Sequence, residues 1–146
     1  IYNHLQLRSE LLDFSRKLGL EKRVIFVGNV DQVWLSKVIP LATVVLSPHT
    51  GRALSEAALG GAPIVAYDVD WQSEIIQTGV TGELVPHEDY NSMANSVERF
   101  LKDRKYSQEM GKAVREYVYE MMDPVSLNNH EREQYSALIK RYNKAS

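Results

Sequence analysis

Apolar residues along this chain recur in two rhythms. In some segments they return every third or fourth position, the period of a helix with one buried face; in others they run together between turn formers, as in strands covered on both sides. Leu7, Leu11, Phe14 and Leu18 follow the helical period, and Gly19 is placed to close that helix. Arg23 to Val27 predicts a buried strand, with Gly28-Asn29-Val30 as the turn at its C-terminal end. Asp31 can cap a helix from Gln32 to about Val38, and Pro40 breaks it.

The stretch from Val44 to Glu74 organises the rest. Val44-Val45-Leu46 predicts a strand, Ser47 to Gly51 a turn, and Ala53 to Leu59 a helix of small apolar residues. Gly60 and Gly61 end that helix, and Ile64 to Tyr67 forms a second strand, reached by a parallel crossover. Beyond it, Trp71 to Gln77 predicts a short helix and Glu83-Leu84-Val85 a third strand. Asn91 or Asp89 can cap a helix carrying Met93, Val97, Phe100 and Leu101. A further helix carries Met110, Val114, Tyr117, Val118 and Met121, and a last one, after Asp123-Pro124, carries Leu127, Tyr135, Leu138, Ile139 and Tyr142. Helical spacing alone makes these aromatic and methionine stripes packing surfaces. Strands alternating with helices imply an α/β fold, a Rossmann-like parallel sheet with helices on both faces, and residues 1–146 are expected to form a single domain.

In such a sheet, ligands lie against the loops that follow the strands' carboxyl ends, here the side of His49, Thr50, Gly51, Asp68 and Asp70. Glu56 stands out on a helix otherwise small and apolar, because a carboxylate in such surroundings needs a partner. A buried acid about one turn from a helix start can accept hydrogen bonds from vicinal hydroxyls, such as those of a ribose. The backbone amides of Arg52, Ala53 and Leu54, approached past Gly51, can then hold phosphates. Arg52 can add a charge-assisted contact, and His49 a hydrogen bond to a sugar hydroxyl or a phosphate. His4, His87 and His130 have no evident partner, and no catalytic acid, base or nucleophile is assigned.

These residues resemble the C-terminal, donor-binding domain of GT-B glycosyltransferases, closest to the retaining enzymes called group 1 or glycosyltransferase family four. The similarity rests on Glu56, Ala57, Leu59, Gly61, Pro63, Ile64 and Val65, followed in order by Glu74, Ile75, Thr81, Gly82, Leu84 and Val85. It implies that the chain is the later part of a donor-binding domain. The larger protein, with an N-terminal acceptor-binding domain absent here, would transfer a sugar from a nucleotide-sugar donor to a glycan, lipid or small-molecule acceptor. It also implies that Asn29 and Val30 lie against the base, and that the nucleotide-diphosphate sugar is a substrate, with no further cofactor. A nucleotide-sugar epimerase and a noncatalytic nucleotide-binding domain are the alternatives.

Two positions depart from the family pattern. Where relatives carry an earlier glutamate reaching the transferred sugar, the spacing puts Pro48; where they often carry two adjacent glycines, Asp70 and Trp71 stand. Asp68-Val69-Asp70 also matches the Asp-x-Asp signature of the other large glycosyltransferase class, but no supporting ligands surround it, so no metal site is expected. These aspartates are expected to cap the following helix or line the cleft.

Composition limits the remaining choices. With 17 basic against 19 acidic residues, the chain lacks the field that nucleic-acid binding requires. It has no cysteine, which excludes disulfides and thiolate metal sites. A cytoplasmic location is expected, with peripheral membrane association through the parent protein as the variant of it.

Overall fold

The computed structural model describes residues 4–145, which cluster into two compact units divided between Gln32 and Val33. The first unit begins with helix α1, His4–Lys17. It ends as the sequence predicts, with Gly19 at φ 67° and the amides of Gly19 and Leu20 returning to the carbonyls of Arg16 and Ser15. The strand expected over Arg23 to Val27 does not form. The amides of Arg23 and Val24 turn back to Leu20, and the segment beyond joins no ladder among the described residues. Ile25 is 82% exposed, and Leu7, Leu11, Phe14 and Leu18 of the α1 stripe are exposed too. An extended segment has no hydrogen bonds of its own, so apolar content without a paired neighbour does not make a strand.

Helix α2, Gln32–Val38, lies in the second unit from Val33 on and leads into a short 3-10 turn at Ile39–Leu41 carrying Pro40. Strands β1 (Val45–Ser47), β2 (Ile64–Tyr67) and β3 (Glu83–Val85) then form a parallel sheet in that order, Val45 opposite Ile64 and Val65 opposite Glu83. Between them run α3 (Arg52–Leu59) and α4 (Gln72–Ile75), the latter shorter than Trp71 to Gln77. Helices α5 (Tyr90–Lys102), α6 (Arg104–Met121) and α7 (Pro124–Ala145) follow. Of the two candidate caps for α5, Asp89 is the one used: it accepts from the Ser92 amide at 2.9 Å, and bonds from Ser92 hold its carboxyl below the usual range.

Alternation along β2 sends Ile64 and Ala66 to one face and Val65 and Tyr67 to the other, and each face has its own core. The first joins Leu54, Ala57, Ala58, Ile75, Ile76, Val114 and Val118; the second joins Val85, Met93, Phe100 and Met110. Helices thus cover both faces, as expected for this class. Not every stripe is buried. Leu101 is exposed, and so are Leu127, Tyr135, Leu138, Ile139 and Tyr142 of α7, which corrects the expectation that these residues pack. Periodicity specifies a face, and burial needs a second surface to cover it.

The tightest packing brings α3 against α6. Gly61 takes φ 72° after α3, with its amide bonded to Ala58 and that of Ala62 to Ala57, while a side chain on Gly111 of α6 would place its Cβ 2.3 Å from the Gly61 carbonyl oxygen. Gly111→Ala is therefore expected to destabilise the fold by roughly 1–2 kcal/mol despite alanine's better helix propensity. Urea denaturation measures this, and an unchanged midpoint would show that the two backbones can part freely.

On the opposite face, Glu83 is buried at the start of β3. It accepts from the Tyr106 hydroxyl and, at 3.0 Å, from Arg99 Nη1, while the Arg99 guanidinium lies 4.0 Å from the Tyr106 ring centre and Phe100 stacks on that ring at 5.3 Å. Burial, with the Glu83 carboxylate as hydrogen-bond acceptor, pushes the Tyr106 phenol from 10.0 up to about 12. Because the folded state holds this proton more tightly, the associated stability is full below pH 10 and is lost as pH rises towards about 12. Stability should therefore fall more steeply across that window in the wild type than in Tyr106→Phe, as followed by chemical denaturation at a series of pH values. Parallel curves would remove Tyr106 from the account.

Candidate functional site

The carboxyl ends of β1 and β2 each deliver a short loop to the same edge of the sheet. After β1, Ser47 Oγ donates to the His49 carbonyl at 3.2 Å and shapes the turn; after β2, Asp70 takes φ 47°. One hydrogen bond joins the two loops: Thr50 Oγ1 donates to Asp70 Oδ2 at 2.7 Å. The expectation that Asp70 caps the following helix is thereby corrected, because the N-cap of α4 is Trp71 and no side chain bonds there. Asp70 reaches across to the neighbouring loop instead. Asp68 and His49 are exposed, and among the described residues no group of three potential metal ligands comes together.

Helix α3 starts from Gly51, which has nearly extended backbone at φ 159° and offers no side chain as a cap. A Cβ there would meet nothing within 4 Å, so the space beside the helix start is open. The Leu54 amide, expected to face a ligand, donates instead to the Gly51 carbonyl at 3.0 Å, and the Leu54 side chain is buried in the core. That leaves the amides of Arg52 and Ala53, which by helix geometry have no acceptor in the preceding turn. The later helices contrast with this. Asp89, Asp103 and Asp123 accept from the amides of Ser92, Tyr106 and Ser126 and so close the starts of α5, α6 and α7.

Glu56 lies one turn into α3. Its side chain is 22% exposed, and Oε1 sits 2.9 Å from Nε of Arg52, whose own side chain is 83% exposed. The expected buried acid is therefore a partly covered one, paired with an arginine on the same helical face. This arrangement places a fixed carboxylate, an open-facing guanidinium and two helix-terminal amides within one turn of backbone. Such a set can take a hydroxylated anion, with the hydroxyls on the acid and the anionic group on the amides and the arginine.

Asn29 and Val30 belong to the first unit. There Asn29 and Gly28 line a groove of about 820 Å³ with Leu7, Leu11 and Phe26. Sequence reasoning passed over Gln72, which is fully buried on α4 with neither side-chain amide atom partnered; polar type on a short helix gives no hint of burial. It also left Thr50 and Asp70 as separate candidates, since nothing in the spacing of two loops 20 residues apart announces a bond between them.

Residues 6–117 match the family model described as glycosyl transferases group 1. The chain belongs to that family. Among curated relatives, it is 32% identical over 114 residues to N-acetyl-alpha-D-glucosaminyl L-malate synthase of Bacillus anthracis, covering 75% of this chain and 29% of the relative. It is 28% identical over 117 residues to phosphatidyl-myo-inositol mannosyltransferase of Mycobacterium leprae, covering 74% of this chain and 31% of the relative. The chain thus spans about 30% of these relatives' length. Among solved structures, sucrose-phosphate synthase from Thermosynechococcus elongatus superposes with a TM-score of 0.79 at 27% identity, over 93% of this chain and 35% of that one. Anabaena HepE in complex with UDP superposes at 0.82 and 24% identity, over 94% of this chain and 38% of that one, a likeness of fold. In this group 1 chain, no helix among the described residues is long and apolar enough to cross a membrane.

A pair one helical turn apart with its arginine in solvent contributes only about 0.3–0.5 kcal/mol. Arg52→Met and Glu56→Gln should accordingly leave the urea midpoint almost unmoved. A large loss of stability in either variant would mark the pair as a structural element of α3 and not as part of a site.

Proposed function

We propose that this chain carries the donor site of a glycosyltransferase, whose parent protein moves a sugar from a nucleotide-sugar donor to an acceptor with retention of configuration. The observation that carries this is the uncapped start of α3 at the sheet's carboxyl edge, with Arg52 and Glu56 one turn apart, in a group 1 family chain. Glu56 receives the ribose hydroxyls, and the amides of Arg52 and Ala53, with the Arg52 guanidinium, hold the diphosphate. From their place in the loop after β1, His49 and Thr50 border the donor, His49 at a sugar hydroxyl or a phosphate, and by the resemblance Asn29 and Val30 of the first unit serve the base. A relative named as a glucosaminyl malate synthase, another named as a mannosyltransferase, and fold neighbours solved with UDP or UDP-glucose support a nucleotide-sugar donor.

In the reaction, the bond between the sugar's anomeric carbon and the donor's phosphate oxygen breaks, and charge grows on the departing nucleoside diphosphate. Helix-terminal amides and Arg52 stabilise that charge as the sugar passes through an oxocarbenium-like transition state. The donor is a substrate, and no further cofactor is invoked. The acceptor, a glycan, lipid or small molecule, would be held by an N-terminal domain of the parent, which acts in the cytoplasm.

Calorimetric titration of the parent protein with UDP, GDP and their sugars tests this. Wild type is expected to bind one nucleotide series, and Glu56→Ala to weaken it by at least about tenfold, the scale of losing a charge-assisted pair of hydrogen bonds. Unchanged affinity in Glu56→Ala would remove Glu56 from the site. Binding without sugar transfer or donor hydrolysis would favour the noncatalytic reading.

A further inference from the structure

The chain after β2 is fastened firmly at two places and weakly between them. Upstream, the Asp68 amide donates to the Val85 carbonyl at 2.8 Å and continues the ladder between β2 and β3. Downstream, Ile75 and Ile76 are buried in the core, and Thr81 Oγ1 donates to the Ile75 carbonyl at 2.7 Å while accepting from the Gln77 amide at 2.8 Å. Of residues 69–74 only Gln72 is buried. Trp71 is partly covered against the core, no side chain caps α4, and an exposed bond from Thr50 Oγ1 to Asp70 Oδ2 ties the segment to the loop after β1.

Gln72 is thus the residue placed to hold this segment down, and its chemistry works against the task. Its side chain is fully buried, and neither Nε2 nor Oε1 has a hydrogen-bond partner among the described residues. An amide taken out of water without replacement bonds carries a penalty that opening to solvent relieves. An apolar side chain at the same place would add to the cost of opening, whereas Gln72 subtracts from it. We infer that residues 69–74 are a strap that opens and closes at the sheet's carboxyl edge, hinged after Asp68 and before Ile75, with the unpartnered Gln72 amide keeping the open form within reach. Opening gives up the bonds from the amides of Gln72, Glu74 and Ile76 to the carbonyls of Val69, Trp71 and Gln72, together with the Thr50–Asp70 bond. The anchors at Asp68 and Thr81 stay in place. The edge therefore has a bridged form, in which the loops after β1 and β2 are joined, and an unbridged form, in which they part. Such local opening belongs to elements with little buried apolar surface, whatever ligand the edge meets.

Hydrogen exchange in the parent protein, followed by NMR at single amides and corrected for intrinsic rates, tests this. In the wild type the Glu74 and Ile76 amides are expected to exchange at least about tenfold faster than those of Asp68 and Gln77. Gln72→Met keeps the length of the side chain and removes the amide, and Gln72→Leu is a second apolar replacement. Each should slow Glu74 and Ile76 by about tenfold, the lower part of the range for an unpartnered buried amide, and leave Asp68 and Gln77 within about twofold. Thr50→Val should speed Glu74 and Ile76 by about fivefold, the size of one hydrogen bond. Equal exchange at all these amides in the wild type would overturn the inference. So would unchanged or faster exchange of Glu74 and Ile76 in both Gln72 variants, the result expected of an amide satisfied by an internal water. A slowing that reaches Asp68 and Gln77 equally would place the effect in global stability and overturn it too.

Discussion

The close approach of α3 and α6 sets the terms for the rest of this structure. The Gly61 carbonyl leaves no room for a side chain on Gly111, and Ala57 and Ala58 are buried in the same contact region. With its far end fastened there, an eight-residue helix about 12 Å long has little freedom in where its first turn lies. That turn falls at the carboxyl edge of β1. The small residues of the family pattern therefore act as positioning elements: they hold the end of α3 opposite to the one that presents Arg52 and Glu56.

Three carboxylates show how differently one functional group can be used along this sheet. Glu83, buried at the start of β3, accepts from both Tyr106 and Arg99 at Oε1 and ties β3 to α5 and α6. Glu56 is partly covered and shares its charge with an exposed arginine, and Asp70, exposed at the carboxyl edge, gives one oxygen to Thr50. Burying a charge is tolerable only when its partners are built in, so the rigid acid sits in the interior. Asp70, at the carboxyl edge, keeps an oxygen that water can fill.

Local signals were legible wherever the chain's own backbone decides the outcome. The glycines that close α1 and α3, the apolar run of β2, the strand at Glu83 to Val85 and the aspartate before α5 all depend on residues within a few positions of one another. The strand expected over Arg23 to Val27 and the burial expected for the stripe of α7 both fail, because a strand needs a ladder partner and an apolar stripe needs a covering surface, and neither is written in the segment itself. In the site, the start of α3 was legible from Gly51 and the small residues after it. The Leu54 amide was not, because its bond to Gly51 depends on how the first turn tightens. The orphaned amide of Gln72, which costs about 1–3 kcal/mol for each unpartnered group, was equally invisible.

Asp70 shows that a backbone requirement and a side-chain identity can be separated. At φ 47° the chain occupies the region where glycine is easiest, yet the residue that stands there is an aspartate. Among non-glycine residues, asparagine and aspartate enter this region most readily, because a short polar side chain can bond locally. Aspartate here does more than tolerate the turn, since its bond to Thr50 ties the loop after β2 to the loop that launches α3. Without that bond the two loops would be linked only through the sheet, and with it the Asp70 carboxylate is fixed beside the loop from which α3 departs.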